Sequence, residues 1–234
     1  MKNLLIANWK MNPPSLEEAL VLARSVDLEG AVLCPPFLYL EPVAQVIKRA
    51  TLGAQDLSYD QAGAHTGEVS ASQLKDLGVE YVLVGHSERR ALGESDESVH
   101  KKLEAALAAG LKAVLCVGES AQTREAGQTK EFIKGQLDSA LTGLEADSII
   151  VAYEPIWAIG SANPAQPEEV ESIASLIKAR AKEQGIEARI LYGGSTEAGN
   201  ILDYLSLESI TGTLVGGSSL DGAEFQKMLE LSNQ

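Results

Sequence analysis

The chain is short of the residues that cross-link or metallate a fold. Two cysteines, Cys34 and Cys116, and three histidines occur in 234 residues. Neither cysteine has metal-ligand spacing, so both read as reduced core thiols. No apolar run approaches the roughly 20 residues that span a bilayer. The opening MKNLLIANWKMN holds four consecutive apolar residues, short of the about 7–15 of a signal-peptide core. It reads as a buried strand, and the expected compartment is the cytoplasm. Cations are scarce: 19 Lys and Arg stand against 33 Asp and Glu, a net charge of −14. Nucleic-acid binders need a basic footprint, which argues against that class. The same charge repels small anions, so a phosphate site here must rely on local cations and oriented N–H groups. No low-complexity linker or composition break appears, and one domain over residues 1–234 is expected.

What the sequence does have is repetition. Short apolar runs centre near Leu5, Val32, Leu52, Leu83, Leu115, Ile150, Leu191 and Leu214, spaced by about 30 residues, the length of one βαβ unit. Gly, Pro or polar residues bound them, which marks strands. Helical patterns lie between. Ser15-Leu16-Glu17-Glu18 has the form of a capping box. Val99, Leu103, Ala106 and Leu107 share a face ahead of Gly110. Pro167, Glu168 and Glu169 suit a first turn before Val170, Ile173, Ala174, Ile177 and Ala181. Eight strands alternating with eight helical segments allow an open doubly wound sheet or a closed parallel barrel. Polar or glycine residues follow nearly every strand: Asn8 and Lys10, Gln55, Gly85-His86, Gly118-Glu119, Glu154, Gly193-Gly194-Ser195 and Gly216-Gly217. A barrel gathers such ends at one mouth, which favours the closed eight-stranded form.

Three residues at that mouth could do chemistry. Glu154 ends the run Ile149–Tyr153 and is followed by Pro155, Ile156 and Trp157. A structural ion pair is one reading; the other is that desolvation makes the carboxylate basic enough to abstract a proton. His86 sits where a strand hands over to a helix. A helix N-terminus disfavours added positive charge, and a neutral imidazole still donates a hydrogen bond to a developing oxyanion. Lys10, framed by Asn8 and Asn12, could neutralise a phosphate or an enediolate, with Glu88 available to hold it. Ile159-Gly160-Ser161, Gly193-Gly194-Ser195 and Gly216-Gly217 permit backbone N–H groups to approach an anion.

The segments NWKMN, GHSERR, YEPIWAIG, YGGS and LVGGSSL, with GAQD and HTGE between the first two, resemble the signatures of the triosephosphate isomerase family, in order and along nearly the whole chain. The resemblance implies a TIM barrel, (β/α)8, that interconverts dihydroxyacetone phosphate and glyceraldehyde 3-phosphate in glycolysis and gluconeogenesis, with no cofactor and no metal. It implies Glu154 as base, His86 as neutral electrophile and Lys10 as the stabilising cation. Asn8 would bind a substrate oxygen, and N–H groups of Gly160, Ser195, Gly216 and Gly217 the phosphate. Ile159 and Leu214 would close over Glu154, and Tyr192 and Ser195 would accept lid N–H bonds from Ala165 and Ala162. A homodimer is implied through the loop 56–69, with Gln55, His65, Thr66 and Glu68 in or near the contact. Residues 161–165 read SANPA where many family members have TGKTA, which predicts a stiffer far hinge at Pro164. A four-carbon sugar-phosphate isomerase and a non-catalytic barrel that binds phosphate metabolites are the alternatives. The second predicts damage to Lys10, His86 or Glu154, and all are present. A Schiff-base lyase would want a further lysine at a strand end.

Overall fold

In the computed structural model, which describes residues 3–160 and 164–233, eight parallel strands pair in chain order and the last closes onto the first. The elements run β1 (Leu4–Asn8), α1 (Leu16–Ser25), β2 (Ala31–Cys34), α2 (Leu40–Val46), β3 (Thr51–Ala54), α3 (Ala71–Asp76), β4 (Tyr81–Val84), α4 (Ser87–Ala91), α5 (Asp96–Ala108), β5 (Lys112–Val117), α6 (Ala121–Glu125), α7 (Thr129–Leu141), β6 (Ser148–Tyr153), α8 (Pro167–Glu183), β7 (Glu187–Tyr192), α9 (Ile201–Leu205), β8 (Ile210–Val215) and α10 (Gly222–Ser232). The chain is thus the closed barrel and not the open sheet.

The strands read as continuous apolar runs because both faces are covered. Alternate residues point to opposite sides of the sheet. Ile6, Val32, Leu83, Cys116, Ala152 and Leu191 fill the barrel interior with their neighbours, while Leu5, Ala7, Leu33, Leu115 and Val151 pack outward against the helices. Cys34 and Cys116 are both free and buried. Gly53 leaves room for one of them, since a Cβ there would stand 2.5 Å from Cys34 Sγ.

The helices start and stop largely where the sequence places them. Pro167 opens α8, with Glu168 and Glu169 in its first turn and Arg180 and Lys182 in its last. Val170, Ile173, Ala174, Ile177 and Ala181 are its buried stripe; each large aliphatic side chain so buried contributes about 1.5–3 kcal/mol. Two expectations need correction. Only half of the capping box at α1 forms: Ser15 Oγ accepts the Glu18 N–H at 3.3 Å, but the Glu18 carboxylate accepts from the Ser15 hydroxyl at 2.8 Å. The full reciprocal box is at α3, where Ser70 and Gln73 cap each other. The eight helical segments become ten α-helices among the described residues. The connections β4–β5 and β5–β6 each hold two, divided near Gly93 (φ +100°) and Gly127 (φ +69°), positions that favour glycine. Among the described residues no helix is long and apolar enough to cross a membrane.

Candidate active site

Parallel closure brings the strand C-termini together around a cavity of about 570 Å³. Glu154 enters it directly after β6, its own N–H donating to Val117 C=O at 2.7 Å. Its side chain is almost fully enclosed, yet both oxygens are met. Ser87 N–H donates to Oε2 at 3.2 Å, and His86 Nε2 lies 3.0 Å from Oε1. These contacts replace part of the water that burial removes. Glycines make the fit possible. A Cβ at Gly118 would stand 1.7 Å from Glu154 O, and one at Gly193 would stand 2.8 Å from Glu154 Cγ.

His86 caps α4, and its Nδ1 accepts the Glu88 N–H at 3.2 Å. A nitrogen that accepts carries no proton, so the ring proton belongs on Nε2, toward Glu154. The sequence reading assigned the neutral ring to the helix N-terminus alone. The structure adds an opposing pull. Burial disfavours the imidazolium, but the Glu154 carboxylate and, more weakly, Glu88 outweigh it and hold the pKa above the ordinary 6.5.

Lys10 has φ +52°, a left-handed conformation that costs a non-glycine residue about 1–2 kcal/mol. Three bonds fix it there. Its N–H donates to Asn8 Oδ1 at 3.0 Å, its C=O accepts from Gln55 Nε2 at 2.8 Å, and its ammonium meets Glu88 Oε1 at 2.5 Å. Gln55 Nε2 also donates to Cys34 C=O at 2.9 Å. Gln55 therefore braces the lysine backbone, a role its place before the long loop did not disclose.

The rest of the cavity wall is rich in glycine. Asn8, Gly160, Ser195, Gly216 and Gly217 all line the cavity, as do Ile159 and Leu214. A Cβ at Gly216 would sit 3.4 Å from Lys10 Cε. Ser195 Oγ donates to Ala158 C=O at 2.7 Å. Ala165 N–H donates to Tyr192 OH at 3.2 Å, as the resemblance implies, and Tyr204 OH donates to Ala165 C=O at 2.9 Å. Ser161, Ala162 and Asn163 fall outside the described residues; Pro164 lines the cavity. Glu88 and Tyr192 do not line it; they bond to Lys10 and Ala165. Sequence reasoning missed Ser87 as a partner of Glu154, although it stands inside GHSERR. It also missed Ser218, although it stands inside LVGGSSL, and Thr196 and Asn200, which line the same cavity without any distinguishing local pattern. Among the described residues no group of three or more His, Cys, Asp or Glu side chains could hold a metal ion.

A family model described as triosephosphate isomerase matches residues 3–232. The chain belongs to the triosephosphate isomerase family. It is 45% identical over 240 residues to a triosephosphate isomerase of Bradyrhizobium sp. (strain ORS 278), with 96% of each chain covered. Against that of Aquifex aeolicus (strain VF5) the identity is 42% over 245 residues, covering 98% of this chain and 99% of the relative. Against that of Alkaliphilus oremlandii (strain OhILAs) it is 43% over 241 residues, covering 96% and 97%. Family membership thus extends over the barrel and every strand end that lines the cavity.

Proposed function

We propose that Glu154, His86 and Lys10 together carry the family's aldose–ketose isomerisation of triose phosphates. The chain is an intramolecular oxidoreductase that interconverts dihydroxyacetone phosphate and D-glyceraldehyde 3-phosphate. The observation that carries the assignment of roles is the 3.0 Å approach of His86 Nε2 to Glu154 Oε1 in a cavity that Lys10 also lines. A triose entering between them replaces that contact. Glu154 takes the proton from the carbon beside the carbonyl, and the electron pair moves to the carbonyl oxygen. His86 Nε2–H donates to that oxygen and moves a proton between the two enediolate oxygens, while Glu154 returns its proton to the neighbouring carbon. This family is itself a standard example of a neutral histidine used as electrophile. Lys10 offsets the charge on the enediolate and the phosphate. Asn8 meets a substrate oxygen, and N–H groups of Gly160, Ser195, Gly216 and Gly217 take the phosphate. Ile159 and Leu214 exclude water from an intermediate that readily sheds phosphate.

One barrel over residues 1–234 carries the whole site on this reading. We further propose cytoplasmic residence, a place in glycolysis and gluconeogenesis, and a homodimer formed through the loop 56–69. Exposed Tyr59 and Leu92 border one hollow with Asp60 and His65, which supports contact at that loop. Sedimentation equilibrium of the full chain tests the dimer; a monomer at all concentrations removes it. Coupled turnover on the triose phosphates and on a four-carbon sugar phosphate tests the reaction. Preference for the four-carbon substrate, or no turnover of either, would overturn it.

A further inference from the structure

A contact on the outer side of the barrel mouth has no part in the proton transfers above. Trp157 stands three residues after Glu154. Its Nε1–H donates to Glu119 Oε1 at 2.8 Å, and the same carboxylate accepts from Tyr153 OH at 3.2 Å. The Arg124 guanidinium carbon, from α6, lies 4.0 Å from the centre of the Trp157 ring. Arg124 Nη2 donates to both oxygens of Glu169, at 2.8 and 3.0 Å. Glu169 lies in the first turn of α8. One guanidinium therefore touches both the segment that joins β6 to α8, at Trp157, and the helix that follows it, at Glu169. These residues also border a second cavity of about 480 Å³, separate from the active-site cavity.

An exposed ion pair contributes little alone, and Arg124 and Glu169 are 42% and 48% exposed. What separates this pair from a surface contact is the indole. A planar guanidinium can bind a carboxylate with its edge and stack on a ring with its face at the same time. An ammonium cannot do both. The turn Ile156–Ala158, of which Trp157 is the middle residue, follows Glu154 and Pro155 directly. Its far end is anchored to Ser195 through Ala158 C=O, and Ile156 N–H donates to Glu119 C=O at 3.1 Å. Trp157 thus lies in the turn that continues directly from Glu154.

We propose that Arg124 is a positioning residue for Glu154: it clamps Trp157 to the first turn of α8 and so fixes the turn from which the base is hung. The inference rests on the isomerase reading. The test uses the full chain labelled with 5-fluorotryptophan, since Trp9 and Trp157 are the only tryptophans and Trp9, fully buried, serves as an internal control. Arg124→Met removes the stack and the fork; Glu169→Gln weakens the fork alone. Arg124→Met should lower kcat about two- to tenfold with KM changed by less than about twofold, and should shift or broaden the Trp157 fluorine signal while Trp9 stays fixed. Glu169→Gln should act in the same direction and less, and the double variant should be no worse than Arg124→Met. An unchanged kcat in Arg124→Met, or a fall in kcat with the Trp157 signal unmoved, would overturn the proposal. Should Arg124→Met disturb the Trp9 signal, Glu169→Gln decides by the same two readouts. Absence of turnover in the wild type would remove the isomerase reading instead, and the fluorine signals of the variants would still decide the clamp.

Discussion

His86 Nε2 and Glu154 Oε1 stand 3.0 Å apart, although 67 residues separate Ser87, the imidazole's neighbour, from the same carboxylate along the chain. The two side chains hold each other at the cavity. Each has a second anchor, the Ser87 N–H for Glu154 and the Glu88 N–H for His86. Both donors belong to the first turn of α4, so one short helix sets both partners.

That arrangement fixes the length of the base. Glu154→Asp withdraws the carboxylate by about one bond length, and a 1 Å misplacement costs roughly a hundredfold in rate. Coupled isomerisation assays should show kcat falling by about that factor with a much smaller change in KM. A variant within a few-fold of wild type would exclude Glu154 as the base.

The Glu154 carboxylate also governs the proton affinity of His86. A pKa held above 6.5 in the folded chain gives a contribution to stability that is present in full below the unfolded value and is lost as pH rises through the folded value. In Glu154→Gln burial remains and the main opposing charge is gone. The His86 titration, followed by NMR, should move to lower pH, and the stability gained on acidification should shrink with it. An unmoved titration would show that Glu154 does not set it.

Glycine positions separate packing from propensity. Gly118→Ala would drive a methyl to 1.7 Å from Glu154 O, a clash with backbone that cannot rotate away. Thermal unfolding should show destabilisation at the upper end of the ~1–3 kcal/mol seen for overpacked cores, and activity should fall as Glu154 shifts. Gly135, exposed within α7, has nothing within 4 Å of an added Cβ. Gly135→Ala should stabilise the chain by about 0.5–1 kcal/mol and leave turnover unchanged.

Lys102 tests the ion cluster behind the long loop. It is buried with Asp56 Oδ1 at 2.6 Å and is bonded to Glu94 as well, while Arg89 Nε lies 2.6 Å from Asp56 Oδ2. Burial already raises the Asp56 carboxyl above the ordinary 3.8, with Lys102 and Arg89 opposing. Lys102→Met leaves buried carboxylates without that partner, which costs about 3–5 kcal/mol at neutral pH. Because a raised carboxyl is ionised at increasing cost as pH rises through its folded value, the deficit should diminish on acidification. Unfolding curves at neutral and acid pH that show the same deficit would refute this.

The sequence by itself determined the strands, the helix faces and the residue types at each strand end. Those features are local: alternation at period 2, helical spacing, a proline at the start of α8, glycines where the chain turns left-handed. Cavity residues that stand in contiguous signatures, such as Glu154 in YEPIWAIG and His86 in GHSERR, were legible for the same reason. Only the tertiary structure decided which groups meet. Closure of β1 onto β8 brought Lys10 beside Gly216, pairing of β1, β2 and β3 seated Gln55 under the Lys10 carbonyl, and pairing of β5 with β6 set Arg124 between Trp157 and Glu169. It also decided the balance at His86, because desolvation and a neighbouring carboxylate act through space over a few ångströms, and distances of that kind between remote residues exist only once the barrel has closed.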